Sequence, residues 1–348
     1  MDESGGRPIS LPRLEAPGDL LRGDALVLGD GLDVARMLPD GCLDLVYLDP
    51  PFGTGTARRT LRGRAGRFGL GDEVAYDDPG WARLSSPDSG GADLSLFDPI
   101  GAHLSPWLAD LLVETRRVLR PGGALFLHLD WRLAHHARVF LDGVFGETQF
   151  LNEIIWHYAT GGIPARWFAR KHDTILYYRN GPGHTFHRGR EVKRLKHRVA
   201  RPGVVEFQDA EGWYRYRFLD DVWEIPWLTQ DARERTGYPS QKPVALLLRI
   251  LEATTDSGMR VADFCGGSGT TAAAAQRLGR RWISCDVAPL AMRIARERLE
   301  AEIARERSGM EIGPPGLAAG AVFPALAPSY PEAIAGTDFL VVEARSAG

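Results

Sequence analysis

Apolar and polar positions along this chain fall into short segments of two alternating kinds. Ala25 to Leu28 and Leu43 to Leu48 are apolar runs of strand length, the second ending at Asp49, and Val34 to Leu38 between them has helical character. Leu104 to Leu119 carries apolar residues at helical spacing and is predicted to stop at Pro121-Gly122-Gly123. A strand, Ala124 to Leu129, and a helix, Leu133 to Phe145, follow. Glu153 to Tyr158 and Thr174 to Tyr178 bracket Gly161-Gly162, which suits an antiparallel hairpin. Farther on, Pro243 opens a helix through Leu251, and the strand Arg260 to Phe264 runs into a glycine turn. A helix over Thr271 to Leu278, a strand from Trp282 to Cys285 ending on Asp286, and a helix from Leu290 to Glu306 complete an α/β rhythm.

Three stretches break that rhythm. Residues 53–95 are rich in Gly, Arg, Asp and Ser, with turn signals at Asp78-Pro79-Gly80 and Ser89-Gly90-Gly91, and predict a long mobile loop. The basic segment to Arg201 and the aromatic stretch Trp213 to Trp227 predict an inserted lobe. Beyond Gly309 the Ala, Gly and Pro content predicts a loosely ordered tail.

Composition bounds the class. With 348 residues and 44% hydrophobic content the chain can bury a sizeable core. No apolar run reaches the roughly 18 residues of a membrane helix, and the N-terminus lacks a signal pattern, so a soluble, cytoplasmic protein is expected. Cys42, Cys265 and Cys285 are widely spaced and suggest neither a disulfide framework nor a zinc site. The net charge is −3, yet from Arg166 to Arg201 there are 11 basic residues against two acidic ones. Counterion release depends on such local charge, so a polyanion partner remains open.

Two motifs carry chemistry. The first is Asp263-Phe264-Cys265-Gly266-Gly267-Ser268-Gly269-Thr270 followed by Asp286, which reads as strand, glycine turn, helix and a strand ending in an acid. Glycines admit a nucleotide-like ligand, and the second acid accepts bonds from ribose hydroxyls. The glycines alone leave NAD and S-adenosylmethionine open. Asp263 favours the second, because a carboxylate at the first strand end would repel a pyrophosphate and attract an ammonium group. The second motif is Asp49-Pro50-Pro51-Phe52, where two prolines end the strand and leave acceptors unspent by a sheet ladder. The Asp49 carboxylate and Pro50 carbonyl are suited to hold an amino group and free its lone pair, with Phe52 stacking on its ring. Taken alone, the tetrapeptide also fits a plain turn in which Asp49 is a cap.

Together these motifs resemble the β group of DNA amino-methyltransferases, in which the catalytic tetrapeptide precedes the target-recognition region and the cofactor loop follows it. The resemblance spans roughly residues 24–300. Gly237-Tyr238-Pro239-Ser240-Gln241-Lys242-Pro243, Leu28-Gly29-Asp30, and the block Leu125 to Trp156, with Leu127-His128-Leu129-Asp130 and Asn152-Glu153-Ile154-Ile155-Trp156, are also similar to family members. It implies a Rossmann-like sheet of the S-adenosylmethionine-dependent methyltransferases, mostly parallel and seven-stranded with its last strand reversed. Its motif order is circularly permuted and a target-recognition region is inserted. The corresponding divisions are an extension (1–23), a catalytic half (24–160), the recognition region (161–236), a cofactor half (237–308) and a tail (309–348).

The resemblance implies adenine-N6 methylation of a base flipped out of double-stranded DNA, with S-adenosyl-L-methionine as cofactor and no metal. Asp49, Pro50, Pro51 and Phe52 are the catalytic candidates. Asp30, near the adenine, Ser240, Gln241 and Lys242, near the methionine end, and Asp263, Phe264, Cys265, Gly267, Gly269, Thr270 and Asp286 are the cofactor candidates. Arg166, Lys171, Lys193, Arg194, Lys196 and Arg198 are candidates for phosphate contacts. Trp213, Tyr214, Tyr216, Trp223 and Trp227 suit packing within the lobe better than base stacking. Candidate partners beyond DNA are a second copy of the chain and a cognate restriction endonuclease. Carbon-5 cytosine chemistry is disfavoured, since none of the cysteines follows a proline. Cytosine-N4 methylation, a non-catalytic DNA-binding protein and an NAD-dependent dehydrogenase are the competing readings.

Overall fold

The computed structural model describes residues 17–51, 58–59, 74–76, 104–158, 162–200, 202–229, 232–307 and 339–344. Phe52, most of the 53–95 loop and most of the predicted tail lie outside them. In chain order the first half comprises β1 (Ala25–Leu28), α1 (Gly31–Met37), β2 (Leu43–Leu48), two short strands β3 (Arg58–Arg59) and β4 (Val74–Tyr76), α2 (Pro106–Val118), β5 (Leu119–Leu129), α3 (Ala134–Phe145), β6 (Phe150–His157) and β7 (His172–Arg179). The second comprises β8 (Arg190–Leu195), β9 (Phe207–Asp209), β10 (Gly212–Phe218), β11 (Val222–Glu224), α4 (Val244–Thr254), β12 (Arg260–Asp263), α5 (Thr270–Arg277), β13 (Arg281–Asp286), α6 (Pro289–Arg307) and β14 (Leu340–Glu343).

Nine strands form one sheet in the order β11-β6-β7-β5-β2-β12-β13-β1-β14. Every pairing is parallel except those of β7, which runs against both β5 and β6. The hairpin expected around Gly161-Gly162 is the β6–β7 pair, with Trp156 opposite Asp173. Its antiparallel return accounts for the reversed strand.

Side chains alternate across the sheet. Val27, Val46, Leu48, Leu125, Leu127, Ala262 and Ile283 face a core shared with α1, α2 and α3. Leu26, Leu45, Tyr47, Phe126, Val261 and Trp282 face another shared with α4, α5 and α6. A sheet covered on both faces needs apolar residues at every position, which is why these strands read as unbroken runs.

Three expectations need correction. The sheet has nine strands rather than seven, because β11 and β14 extend its edges. Leu340 to Glu343, assigned to a loose tail, instead pairs in parallel with β1, where Val341 and Val342 supply the apolar side chains such an edge demands. Pro121-Gly122-Gly123 does not separate α2 from a later strand but lies inside β5. There Gly122, at φ +77°, donates its N–H to the Asn180 carbonyl at 2.6 Å. A Cβ at that position would lie 2.6 Å from the Gly183 carbonyl oxygen, so the close approach of two chains selects glycine.

β8, β9 and β10 form a separate antiparallel sheet, with Tyr216 opposite Val192 and Tyr214 opposite Phe207. Glu191 ties it to the main body: Arg217 donates to its Oε1 at 2.7 Å and Arg249 of α4 to its Oε2 at 3.4 Å.

Candidate active site

β2 and β12 are far apart in sequence yet lie side by side and parallel, with Leu45 opposite Val261 and Val46 opposite Ala262. Their carboxyl ends therefore bring Asp49 and Asp263 to the same edge of the sheet, the edge at which α/β folds bind ligands. β13, the next neighbour, adds Asp286. The two sequence motifs thus meet in one place.

Each acid is held differently. Asp263 is buried; its Oδ1 accepts the Cys265 N–H at 3.0 Å and its Oδ2 the Thr271 hydroxyl at 2.5 Å. Burial pushes its carboxyl up to about 7, and the charges of Asp49 and Asp286 add to the rise while the two hydrogen bonds oppose it. Asp286 accepts the Gly267 N–H at 2.9 Å and the Ala288 N–H at 2.8 Å, and burial raises it too. Asp49 faces Lys242, whose Nζ lies 3.0 Å from Oδ2.

The glycine loop is shaped by close contacts. A Cβ on Gly266 would lie 2.1 Å from the Ser284 hydroxyl, and one on Gly269, at φ +74°, would lie 2.9 Å from the Ala295 Cβ. Gly267, at φ +50°, packs under the Tyr238 ring. Arg298 of α6 donates to the Ser268 carbonyl at 3.3 Å and the Thr270 hydroxyl at 3.0 Å, bracing the loop from behind. Three acids beside a backbone-lined loop suit a ligand bearing positive charge and a ribose, which fits S-adenosyl-L-methionine better than a dinucleotide pyrophosphate.

The remaining cofactor candidates divide. Phe264 is buried in the core behind the loop, while Cys265 is half-buried. Asp30 caps α1, accepting the Leu32 N–H at 2.8 Å, and also receives the Trp107 indole N–H at 3.0 Å. Gln241 is buried and its amide is spent within the chain: Thr236 donates to its Oε1 through N–H and hydroxyl, and its Nε2 donates to the Glu234 carbonyl. Ser240 takes a left-handed backbone at φ +58° and donates to the Pro239 carbonyl. That strained turn delivers Lys242 to Asp49.

Behind the acid lies a polar chain centred on His128 of the Leu127-His128-Leu129-Asp130 block, to which the sequence assigned no role. The Tyr47 hydroxyl and His128 Nδ1 are 2.8 Å apart, His128 Nε2 lies 3.2 Å from Asp173 Oδ2, and the Tyr158 hydroxyl donates to Asp173 Oδ1 at 3.1 Å. Burial works to raise the Asp173 carboxyl. The hydrogen bond and charge of His128, the charge of Lys242 and the Tyr158 hydroxyl outweigh it and hold the group below its usual range. The Lys242 ammonium also sits 5.9 Å from the Trp156 ring and 6.0 Å from that of Trp227, and these two rings stack at 5.4 Å. The signal for this chain was a histidine within an otherwise apolar strand, Leu127-His128-Leu129. Trp227, assigned to packing inside the lobe, lies at the site instead, and Trp223 is buried in the main core.

The basic candidates are spread over two places. Arg166 and Lys171 lie between β6 and β7, whereas Lys193 and Arg194 lie on β8 and Lys196 and Arg198 follow it. Arg194 is engaged within the small sheet by Asp209 at 2.6 Å and Glu211 at 2.7 Å. Lys193, Lys196 and Arg198 are exposed, the last 5.3 Å from the Trp213 ring centre.

A family model described as DNA methylase matches residues 43–297, from the first residue of β2 into α6. The Type II methyltransferase M2.DpnII of Streptococcus pneumoniae is 27% identical over 275 residues, covering 77% of this chain and 86% of that protein. Among solved structures, TTHA0409 of Thermus thermophilus complexed with S-adenosyl-L-methionine is 21% identical over 80% of this chain and 96% of its own, with a TM-score of 0.47. The cytosine-N4-specific PvuII DNA methyltransferase is 15% identical over 82% and 94%, also with a TM-score of 0.47.

Proposed function

The chain belongs to the DNA methylase family, whose members methylate adenine N6 or cytosine N4 with S-adenosyl-L-methionine, and from that premise we propose that its target is adenine N6 in double-stranded DNA. The observation that carries the methyltransferase reading, common to both bases, is the meeting of Asp49 with the glycine loop at the ends of two adjacent parallel strands. M2.DpnII, a Type II methyltransferase, also supports the class. Aspartate rather than serine at the first position of the tetrapeptide favours adenine within the family resemblance.

In this reading Asp286 receives the ribose hydroxyls, Asp263 faces the methionine ammonium and the Gly266 to Thr270 backbone lines the remainder. When bound, the cofactor supplies a methyl group already activated on a sulfonium, and no metal is called for. The Asp49 carboxylate and the Pro50 carbonyl accept hydrogen bonds from the two N–H groups of the target amino group, drawing it from planar toward tetrahedral geometry and freeing its lone pair; one proton leaves after the nitrogen has taken the methyl group from the sulfonium. Lys242 must yield Asp49 Oδ2 to that amino group, and Asp173 is the carboxylate whose charge faces the displaced ammonium. A base inside a duplex cannot reach this edge, so the base is flipped out. Residues 161–236, with the exposed cations of β8 and its following turn, serve as the target-recognition region.

The test is methylation of unmodified DNA, digestion to nucleosides and identification of the product. N6-methyladenine supports the proposal. N4-methylcytosine overturns the choice of base while leaving the site chemistry intact, and NAD binding without methyl transfer overturns the whole reading.

A further inference from the structure

Between β6 and β7 the chain runs through Gly162-Ile163-Pro164-Ala165-Arg166-Trp167-Phe168-Ala169-Arg170-Lys171. Its apolar side chains are displayed rather than buried: Phe168 is 98% exposed, Ile163 95% and Trp167 61%. The first two are the most exposed large hydrophobic residues among the described residues. Isolated apolar residues on a surface are ordinary, but three within six positions mark a contact surface.

The root of this segment is fastened beside the catalytic acid. The Tyr158 N–H donates to the Lys171 carbonyl at 2.8 Å, and the last strand pairs before it are Trp156 with Asp173 and His157 with His172. Trp156 is the ring beside Lys242, which pairs with Asp49. On the other side, the Arg170 guanidinium lies 3.8 Å over the ring of Trp131, which follows Asp130 just past the end of β5. The segment therefore rises from the rim of the site between the ends of β5 and β6. Its ten residues hold three cations and no acid.

We propose that Trp167 and Phe168 are the wedge that enters the base stack of the duplex when the target base leaves it. The inference rests on the reading of the chain as a DNA methyltransferase. Flipping removes a base from the stack, and an apolar side chain inserted there offsets part of the lost stacking. Aromatic faces match the faces of the flanking bases, while Arg166, Arg170 and Lys171 match the phosphates on either side. Three cations with no acid among the ten residues match a polyanion, which favours duplex DNA over a protein as the occupant.

The experiment first maps the methylated base with the wild-type protein. It then compares single-turnover rates at saturating S-adenosyl-L-methionine on two duplexes, one fully paired and one with an abasic site opposite the target. The abasic duplex needs less help to release the base, so the two isolate the flipping step. W167A/F168A is expected to slow methylation of the paired duplex by about tenfold or more and of the abasic duplex by less than about threefold. F168L, which keeps an apolar tip, should retain most of the rate. Unchanged melting temperatures will show that these exposed positions leave the fold intact. Equal losses on both duplexes, or no loss on either, overturn the wedge while methyl transfer by the wild type upholds the parent reading. Loss of self-association in sedimentation with unchanged rates would assign the patch to a second copy of the chain and likewise overturn it. No transfer by the wild type to either duplex removes the parent reading and the wedge with it.

Discussion

The ammonium of Lys242 lies 3.0 Å from Oδ2 of Asp49, so the candidate catalytic acid is paired with a buried cation before any base arrives. The pair holds the carboxylate at the ends of β2 and β12, and in the proposed reaction the target amino group must compete with Lys242 for it. Both partners are accordingly sensitive to substitution.

Asp49→Ala removes the acceptor proposed to prepare the amino group and should lower turnover by at least about a hundredfold. Cofactor binding should stay within a few-fold of wild type, read by calorimetric titration. Lys242→Met leaves a largely buried carboxylate without its cation and should lower the melting temperature by about 2–5 °C. A Lys242→Met protein as stable and active as wild type would remove any role for the pair.

With Asp263 as the proposed partner of the methionine ammonium, cofactor binding should depend on pH. Burial raises its carboxyl to about 7, above the ordinary aspartate value near 4, so folding favours its protonated form. Its contribution to stability is full below about pH 4 and is lost as pH rises through about 7. A cationic ammonium binds the carboxylate form. Affinity for S-adenosyl-L-methionine should therefore climb by up to about tenfold per pH unit below 7 and level off above it. Asp263→Asn should flatten that profile, and calorimetry in buffers of different ionisation enthalpy should show proton release for the wild type alone.

Asp286 holds the Gly267 and Ala288 N–H groups as well as its assigned ribose contact. Asp286→Ala should weaken cofactor binding by about ten- to a hundredfold, since it removes hydrogen bonds to a charged group and loosens the loop. Unchanged affinity would show that the ribose lies elsewhere.

Gly266→Ala places a methyl group 2.1 Å from the Ser284 hydroxyl oxygen, so the Ser284 side chain must turn away or the loop must shift. Such overpacking costs about 1–3 kcal/mol, visible as a lower melting temperature together with lost cofactor affinity. Ser284→Ala in the same chain removes the colliding oxygen and should restore part of both. Failure of that rescue would place the strain at the Cys285 carbonyl, 3.3 Å from the added carbon.

The exposed cations of the small sheet and the engaged one should behave differently. Lys196→Ala with Arg198→Ala should weaken DNA binding at all sequences and reduce the salt slope by about 0.9 per lost phosphate contact. Arg194→Ala, whose guanidinium is already held by Asp209 and Glu211, should change the slope less. Filter binding across a salt series separates the two.

Much of the molecule was legible along the chain. The helices at 106–118, 134–145 and 244–254, the strands ending at Asp49, Asp263 and Asp286, and the β6–β7 hairpin follow from periodicity, proline and glycine, all of which act between near neighbours. The tetrapeptide and the glycine loop were legible for the same reason, as each is a strand end with an unusual backbone.

What the linear pattern could not supply is every relationship that depends on strand order. Nothing local says that Leu340 to Glu343 closes one edge beside β1, that Trp227 reaches Trp156, or that Tyr47, His128, Asp173 and Tyr158 form one chain of hydrogen bonds. Sequence alone determined that Asp49 ends a strand and that Lys242 precedes a helix. Only the tertiary structure decided that they meet, because the parallel pairing of β2 with β12 and the turn at Ser240 carry two remote segments to the same sheet edge. There, burial makes opposite charges seek one another.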